Sequence, residues 1–281
     1  MGTITINEIE LYKKYLIEEE KSKVTVEKYI RDITAFVKWL GVRMLDKQAV
    51  LDYKSRLVEK YAPTTVNSVL ASLNGIFEHL NRFDLKVKNL KVQRQIFCQE
   101  SKELTKAEYE RLLMAAKSKK NERLYLIMQT ICSTGIRVSE LKFITVDAVQ
   151  SGRAQVKLKG KIRTILLTKE LCSILKKYIK EQKIVNGSVF ITKKGKPIDR
   201  FSIYHSMKML CEIADVPREK VFPHNLRHLF ARTYYSIQKD IVRLADILGH
   251  SSINTTRIYT IENGEIHQKQ MQKLGLVRMQ N

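Results

Sequence analysis

The residues that could do chemistry fall within one short segment, from His224 to Tyr259. His224-Asn225-Leu226-Arg227-His228 is followed, one helix length on, by Leu248-Gly249-His250-Ser251-Ser252, and Tyr259 stands nine residues beyond His250. An arginine neutralises the non-bridging oxygens of a phosphate diester, an imidazole gives or takes a proton near neutral pH, and a phenol is a nucleophile for phosphorus. On a helix, His224 and Arg227 share a face, because residues three apart are neighbours, while Leu226, Leu229 and Phe230 point elsewhere, toward a core. His224 and His228 also fit an H-x-x-x-H metal pair, but position 225 is Asn rather than the Glu of the metalloprotease signature, and no third ligand stands out. Taken singly, each residue also has a plain packing role to fill, since the chain has 12 tyrosines. Such chemistry would further need a fold, a grip on a polyanion and an acid for the leaving group.

The charge supplies the grip. Of 281 residues, 51 are Lys or Arg and 29 Asp or Glu, a net charge of +22. The first 100 residues hold 17 basic and 13 acidic side chains and the remainder 34 and 16, so +18 of the excess lies after residue 100. That imbalance favours a polyanionic partner, with nucleic acid ahead of a membrane surface because no basic amphipathic membrane-type helix stands out. The chain is long enough for two domains with real cores, and 44% hydrophobic residues with 4 prolines are ordinary for a globular protein. There is no apolar run of about 18 residues and no apolar signal-peptide core in the first ten, so a cytosolic protein is expected. Cys98, Cys132, Cys172 and Cys211 are spaced too widely for a zinc site or a disulfide framework and are expected to be reduced thiols.

Helical periodicity is expected to dominate. Apolar stripes predict helices over 4–20, 26–40 (after a break at 22–25), 46–60 and 64–80, the last opened by Pro63, and these make an all-helical first domain, 1–82. From 83 to 103 the stripe dissolves into a basic stretch that reads as an inter-domain linker, with Lys86, Lys88, Lys91 and Arg94 as candidate contacts to DNA phosphates. A second domain, 104–281, opens with Thr105 and Glu108 spaced as a capping box. Helices are expected at 106–118 and 121–134, with a turn and a short helix through Thr134-Gly135-Ile136-Arg137-Val138-Ser139-Glu140-Leu141. A hairpin of 154–159 and 162–167 turns around Gly160, a further extended pair lies at 188–192 and near Ile198, and helices return at 169–181, 202–214, 224–238 and 240–248. The fold class expected is mainly α with a small antiparallel β-sheet.

The joint order of these motifs resembles the tyrosine recombinase, or phage integrase, family. Arg137 within Thr-Gly-Ile-Arg-Val-Ser-Glu-Leu, a lysine in a hairpin, His224-x-x-Arg227-His228, Leu248-Gly249-His250-Ser251 and Tyr259 nine residues later follow the family's order and spacing over about 104–262. The N-terminal helices are similar in character to the core-binding domain of Xer-type recombinases and transposon integrases.

The resemblance implies a two-domain, C-shaped clamp on duplex DNA, in which Tyr259 attacks a scissile phosphate, forms a 3′-phosphotyrosine and releases a 5′-hydroxyl, with neither ATP nor metal and no cofactor. It implies that Arg137 and Arg227 bind the non-bridging oxygens, His250 hydrogen-bonds the same phosphate and His224 assists proton removal from Tyr259. The leaving oxygen would take its proton from a hairpin lysine. Lys159, before Gly160, matches best, with Lys161 in reserve and Lys157 close by. Glu140 would buttress the site and His228 support it. Helices beginning almost at residue 4 leave no room for a preceding arm-binding domain, which favours a Xer-like or mobile-element enzyme. It would act as a homo-tetramer on two duplexes, with the tail from 261 to 276 (Ile266, Met271, Leu274, Leu276) docking on a neighbouring subunit. The competing functions are a catalytically silent DNA-binding accessory protein, which the complete residue set disfavours, and a type IB topoisomerase-like nicking-closing enzyme, which would have little use for an exchangeable tail.

Overall fold

Thr, Ser, Asp and Pro begin the helices of the N-terminal region where an uncapped helix would leave its first N–H groups unpaired. In a computed structural model, which describes residues 3–92, 102–158, 161–259, 272–274 and 276, Thr5 caps α1 (Ile6–Glu18) in a reciprocal box with Glu8, Ser22 caps α2 (Lys23–Leu40), Asp46 caps α3 (Lys47–Lys60), and Pro63 opens α4 (Pro63–His79). Their stripes meet in one core containing Ile33, Phe36, Leu70, Leu73, Ile76 and Phe77, all buried. The Phe36 ring stands edge-on to both Tyr53 and Phe77.

This unit extends further than the sequence predicts. Residues 83–92, expected in the linker, pack on the first unit, which runs to residue 94, and Leu85 and Val87 are buried in its core. The Asn74 amide donates to the carbonyl of Val87 and accepts from its N–H, both at 2.9 Å, and Asn67 treats Leu90 the same way at 2.9 and 2.7 Å. Two amides on α4 thus replace the strand that an extended segment would otherwise need. Apolar residues at 85 and 87 alternate with period two, so no helical stripe could reveal them. Lys86 is tied to Glu78, while Lys88 and Lys91 are exposed. Arg94 lies outside the described residues.

The second unit, 95–281, opens on α5 (Lys106–Ser118), capped by the expected Thr105–Glu108 box, and α6 (Glu122–Thr134). A 3-10 segment (Val138–Phe143) and α7 (Val146–Ser151), too short to show a periodicity, lead into β1 (Arg153–Leu158) and β2 (Lys161–Leu166). The strands are antiparallel and pair from Arg153 with Leu166 to Leu158 with Lys161. Then come α8 (Lys169–Glu181), α9 (Arg200–Lys208), α10 (Cys211–Ala214), α11 (Pro223–Gln238), α12 (Ile241–Leu248), α13 (Ile253–Thr256) and a closing 3-10 turn (Arg257–Tyr259). The extended pair expected near 188–198 appears as isolated bridges, Thr145 with Ser188 and Ile191 with Pro197. The single helix expected over 202–214 is broken into α9 and α10. Ile203, Met207, Leu210, Cys211 and Ala214 are buried on both sides of the break, so the apolar period runs through it unaltered.

Cys132, Cys172 and Cys211 are free thiols; Cys98 lies outside the described residues. No helix among the described residues is long and apolar enough to cross a membrane.

Candidate active site

The site is assembled where two helices end. α6 stops at Thr134 because Gly135 takes the left-handed conformation (φ 63°), and α12 stops at Leu248 because Gly249 does the same (φ 62°). Both glycines are also sterically required. A Cβ at Gly135 would stand 2.5 Å from the Phe230 ring, and one at Gly249 would collide with the Arg163 side chain. Each helix end leaves carbonyls unpaired at the negative end of its dipole. Arg227, carried on α11 and only 1% exposed, donates one Nη to the Gly135 carbonyl at 2.6 Å and the other to the Leu248 carbonyl at 2.8 Å. The buried guanidinium is held by neutral acceptors, and no carboxylate lies within ion-pair distance of it among the described residues. Its Nε is buried with no hydrogen-bond partner among them. Burial, with Arg137 second, lowers its pKa to about 10, so it stays cationic at neutral pH.

Arg137 is placed by Glu140. That carboxylate accepts from the Arg137 backbone N–H at 2.9 Å and from its guanidinium at 3.0 Å, and its other charge contact is Arg163 on β2. Glu140 is 2% exposed. Burial alone would raise its pKa, but the Arg137 N–H and the two guanidinium groups outweigh burial and hold it below the ordinary carboxylate value. Arg163 also donates to the Ile247 carbonyl at 2.7 Å, near the end of α12. One arginine therefore joins the hairpin, the Arg137 turn and the loop carrying His250. Sequence reasoning did not single it out. Its one signal was a place in the middle of a β-strand, which does not tell an arginine bound to a buried carboxylate from one in solvent.

Four aromatic rings complete the site. His250 places Nε2 2.9 Å from Arg227 and Nδ1 2.8 Å from the Thr256 hydroxyl. Its ring lies nearly parallel to that of Tyr259, centroids 6.2 Å apart. The imidazole standing edge-on to Tyr259 is His228, at 5.1 Å, and His224 in turn meets His228 at 4.5 Å. Burial first, and the neighbouring cations after it, lower the pKa of all three imidazoles, to about 4 for His228 and His250, so each is neutral at pH 7. Tyr259 is 5% exposed and sits in a small core with Ala231, Leu244 and Leu248. Burial raises the phenol's pKa, against which Arg227 and then Arg137 pull.

The structure therefore brings together Arg137, Glu140, His224, Arg227, His228, His250 and Tyr259. The imidazole in ring contact with Tyr259 from α11 is His228, and His224 reaches it through His228. Lys159 and Gly160 lie outside the described residues, as does the side chain of Lys161. The expected tail from 261 also falls mostly outside them; of its four apolar residues only Leu274 and Leu276 are described, both exposed.

The second unit is mostly helical and gathers two arginines and three imidazoles around a buried phenol. The phage integrase family model matches residues 102–265, more than half of the chain, and the phage integrase N-terminal SAM-like domain matches 9–82. The chain belongs to the phage integrase family. It is 27% identical over 277 residues to the tyrosine recombinase XerA of Thermococcus kodakarensis, covering 96% of this chain and 95% of that one. Among solved structures it is similar to the XerH site-specific recombinase bound to palindromic difH substrate in a post-cleavage complex, with TM-score 0.74 and 19% identity over 96% of this chain and 89% of that one. It is also similar to a lambda integrase tetramer bound to a Holliday junction, with TM-score 0.72 and 18% identity over 92% and 77%. At those identities the two structures establish the shared fold.

Proposed function

We propose that this chain is a site-specific DNA recombinase that cuts one strand at a time with Tyr259. The observation that supports it best is Arg227, a buried and uncompensated cation beside a buried phenol. A group so desolvated is costly unless an anion completes it. A scissile phosphate between Arg137 and Arg227 would be that anion, its non-bridging oxygens taking the open donors of both guanidinium groups. Charge building on those oxygens as Tyr259 attacks would meet cations already in place. The neutral imidazoles His228 and His224 would provide a route for the phenolic proton. Lys159, or Lys161 at the start of β2, would protonate the leaving 5′-oxygen. The resulting 3′-phosphotyrosine is itself a phosphodiester, so rejoining by a 5′-hydroxyl needs no ATP, and the two arginines supply the charge that a metal supplies elsewhere.

The partners follow from the same reading: two recombination-site duplexes, a homo-tetramer, and a tail beyond Tyr259 contacting a neighbouring subunit. The exposed Lys88 and Lys91 would meet backbone phosphates, and the setting would be cytoplasmic. Nicked suicide duplexes drawn from DNA flanking the gene test the reading. They should trap the protein covalently, Tyr259→Phe should abolish the adduct, and chelator should leave it intact. An adduct that survives Tyr259→Phe removes the proposal.

A further inference from the structure

The hydrogen bonds of His250 fix where its proton sits. A guanidinium has no acceptor, so the 2.9 Å contact between Arg227 and His250 Nε2 requires a lone pair on that nitrogen. The ring is then a neutral imidazole with its hydrogen on Nδ1, and that hydrogen is donated across 2.8 Å to the Thr256 hydroxyl. Thr256 is fully buried, on the short α13 that Ser252 caps. The rest of the surroundings are hostile to a second proton. Arg227 and His224 face the ring from α11, Arg137 from its turn and Arg163 from β2, with Tyr259 stacked alongside.

We infer that Thr256 is the positioning residue that holds His250 in the tautomer Arg227 selects, by accepting from Nδ1–H, and so dedicates Nε2 to the phosphate side of the site. The inference rests on the site being the cleavage centre. The other tautomer would set an Nε2–H against the Arg227 N–H, donor against donor. An imidazole without a partner at Nδ1 would be free to rotate or exchange its proton between nitrogens. With Thr256 in place, a phosphate oxygen that takes over the Arg227 hydrogen releases Nε2 as the one free ring nitrogen. With the phosphate's negative charge offsetting Arg227 and Arg137, Nε2 can take up one proton from a solvent hydronium, which leaves as water; no bond of the ring is broken, and the other hydrogen stays on Nδ1, donated to Thr256. The imidazolium so formed can hydrogen-bond the phosphate through Nε2, and Thr256, by accepting from Nδ1–H, favours it. An acceptor on the far nitrogen thus both orients the ring and raises its basicity, as hydrogen-bonded partners of metal-bound imidazoles do.

The tautomer is read directly in the DNA-free full-length protein, by nitrogen-15 imidazole shifts assigned with His250→Gln. Wild type and Thr256→Ser should show protonated Nδ1 and a bare Nε2, and Thr256→Val should show a mixture of tautomers. In the suicide-duplex assay, Thr256→Val should form the covalent adduct roughly tenfold more slowly, the rate equivalent of one buried hydrogen bond, while Thr256→Ser stays within about twofold of wild type. A protonated Nε2 in the wild-type spectrum, or an unaltered cleavage rate in a folded Thr256→Val, overturns the inference. If wild type forms no adduct at all, the recombinase reading fails while the spectrum still decides the tautomer.

Discussion

The first unit and the candidate site of the second bury polar groups in opposite ways. In the first, polar side chains drawn toward the core are balanced: Asn67 and Asn74 satisfy backbone groups, and Lys28 lies 2.6 Å from Asp32 with Ser72 completing the cluster. In the site of the second, Arg137 and Arg163 share the buried carboxylate of Glu140, and Arg227 is held by two carbonyl groups and the His250 ring, all neutral. The first arrangement stabilises a scaffold. The second stores positive charge that only an anion can compensate, and it is bearable because two helix C-termini lend their partial negative charge to the guanidinium. The difference separates residues that hold the fold from residues that hold a ligand.

The largest effects should fall on different observables in the two units. Phe77→Ala empties a buried position and should destabilise the first unit by about 3–5 kcal/mol, seen as an earlier loss of fluorescence from Trp39, the chain's only tryptophan. Arg227→Ala should slow adduct formation by about a hundredfold to a thousandfold, as loss of one charge-stabilising donor does, while leaving the Trp39 transition in place. If both variants fail in the same assay, the division of labour is wrong.

Glu140→Gln comes next. It leaves Arg137 and Arg163 facing one another without a counter-charge, and should cost about 3–5 kcal/mol of second-unit stability as well as cleavage rate; circular dichroism with Trp39 as internal reference measures it. Asn74→Ala removes two hydrogen bonds to Val87 and should cost about 1–3 kcal/mol in the first unit alone, with cleavage of the suicide duplex unchanged.

The gentlest perturbation is pH. His224, His228 and His250 have folded pKa values below the unfolded value of about 6.5, so the unfolded chain binds more protons below that pH and stability falls as pH drops from 6.5 toward 4. The Glu140 carboxylate, also depressed, adds its loss lower still. Helicity should therefore decline on acidification before Trp39 reports unfolding of the first unit. A single transition seen by both probes would show that the imidazoles do not govern the second unit's acid sensitivity.

Much of this was legible in the chain. The capping residues Thr5, Ser22, Asp46 and Thr105 mark helix starts within a residue or two, because capping is a local matter. The site residues Arg137, His224, Arg227, His250 and Tyr259 carry recognisable spacing. Arg163 and Thr256 do not, since an arginine on a strand and a threonine before a tyrosine have no signal until something is seen to contact them. Residues 83–92 were misplaced for a similar reason: what orders them is a pair of asparagines on another element.

The sequence by itself determined the inventory, from the helices to the arginines, imidazoles and phenol and the excess charge that points to nucleic acid. Only the tertiary structure decided their states. Arg227 is uncompensated because it reaches a carbonyl 92 residues away. His228 lies against Tyr259, and His250 is neutral with its proton on Nδ1, because desolvation and the fields of neighbouring groups are fixed by atoms that the fold, not the chain, makes adjacent.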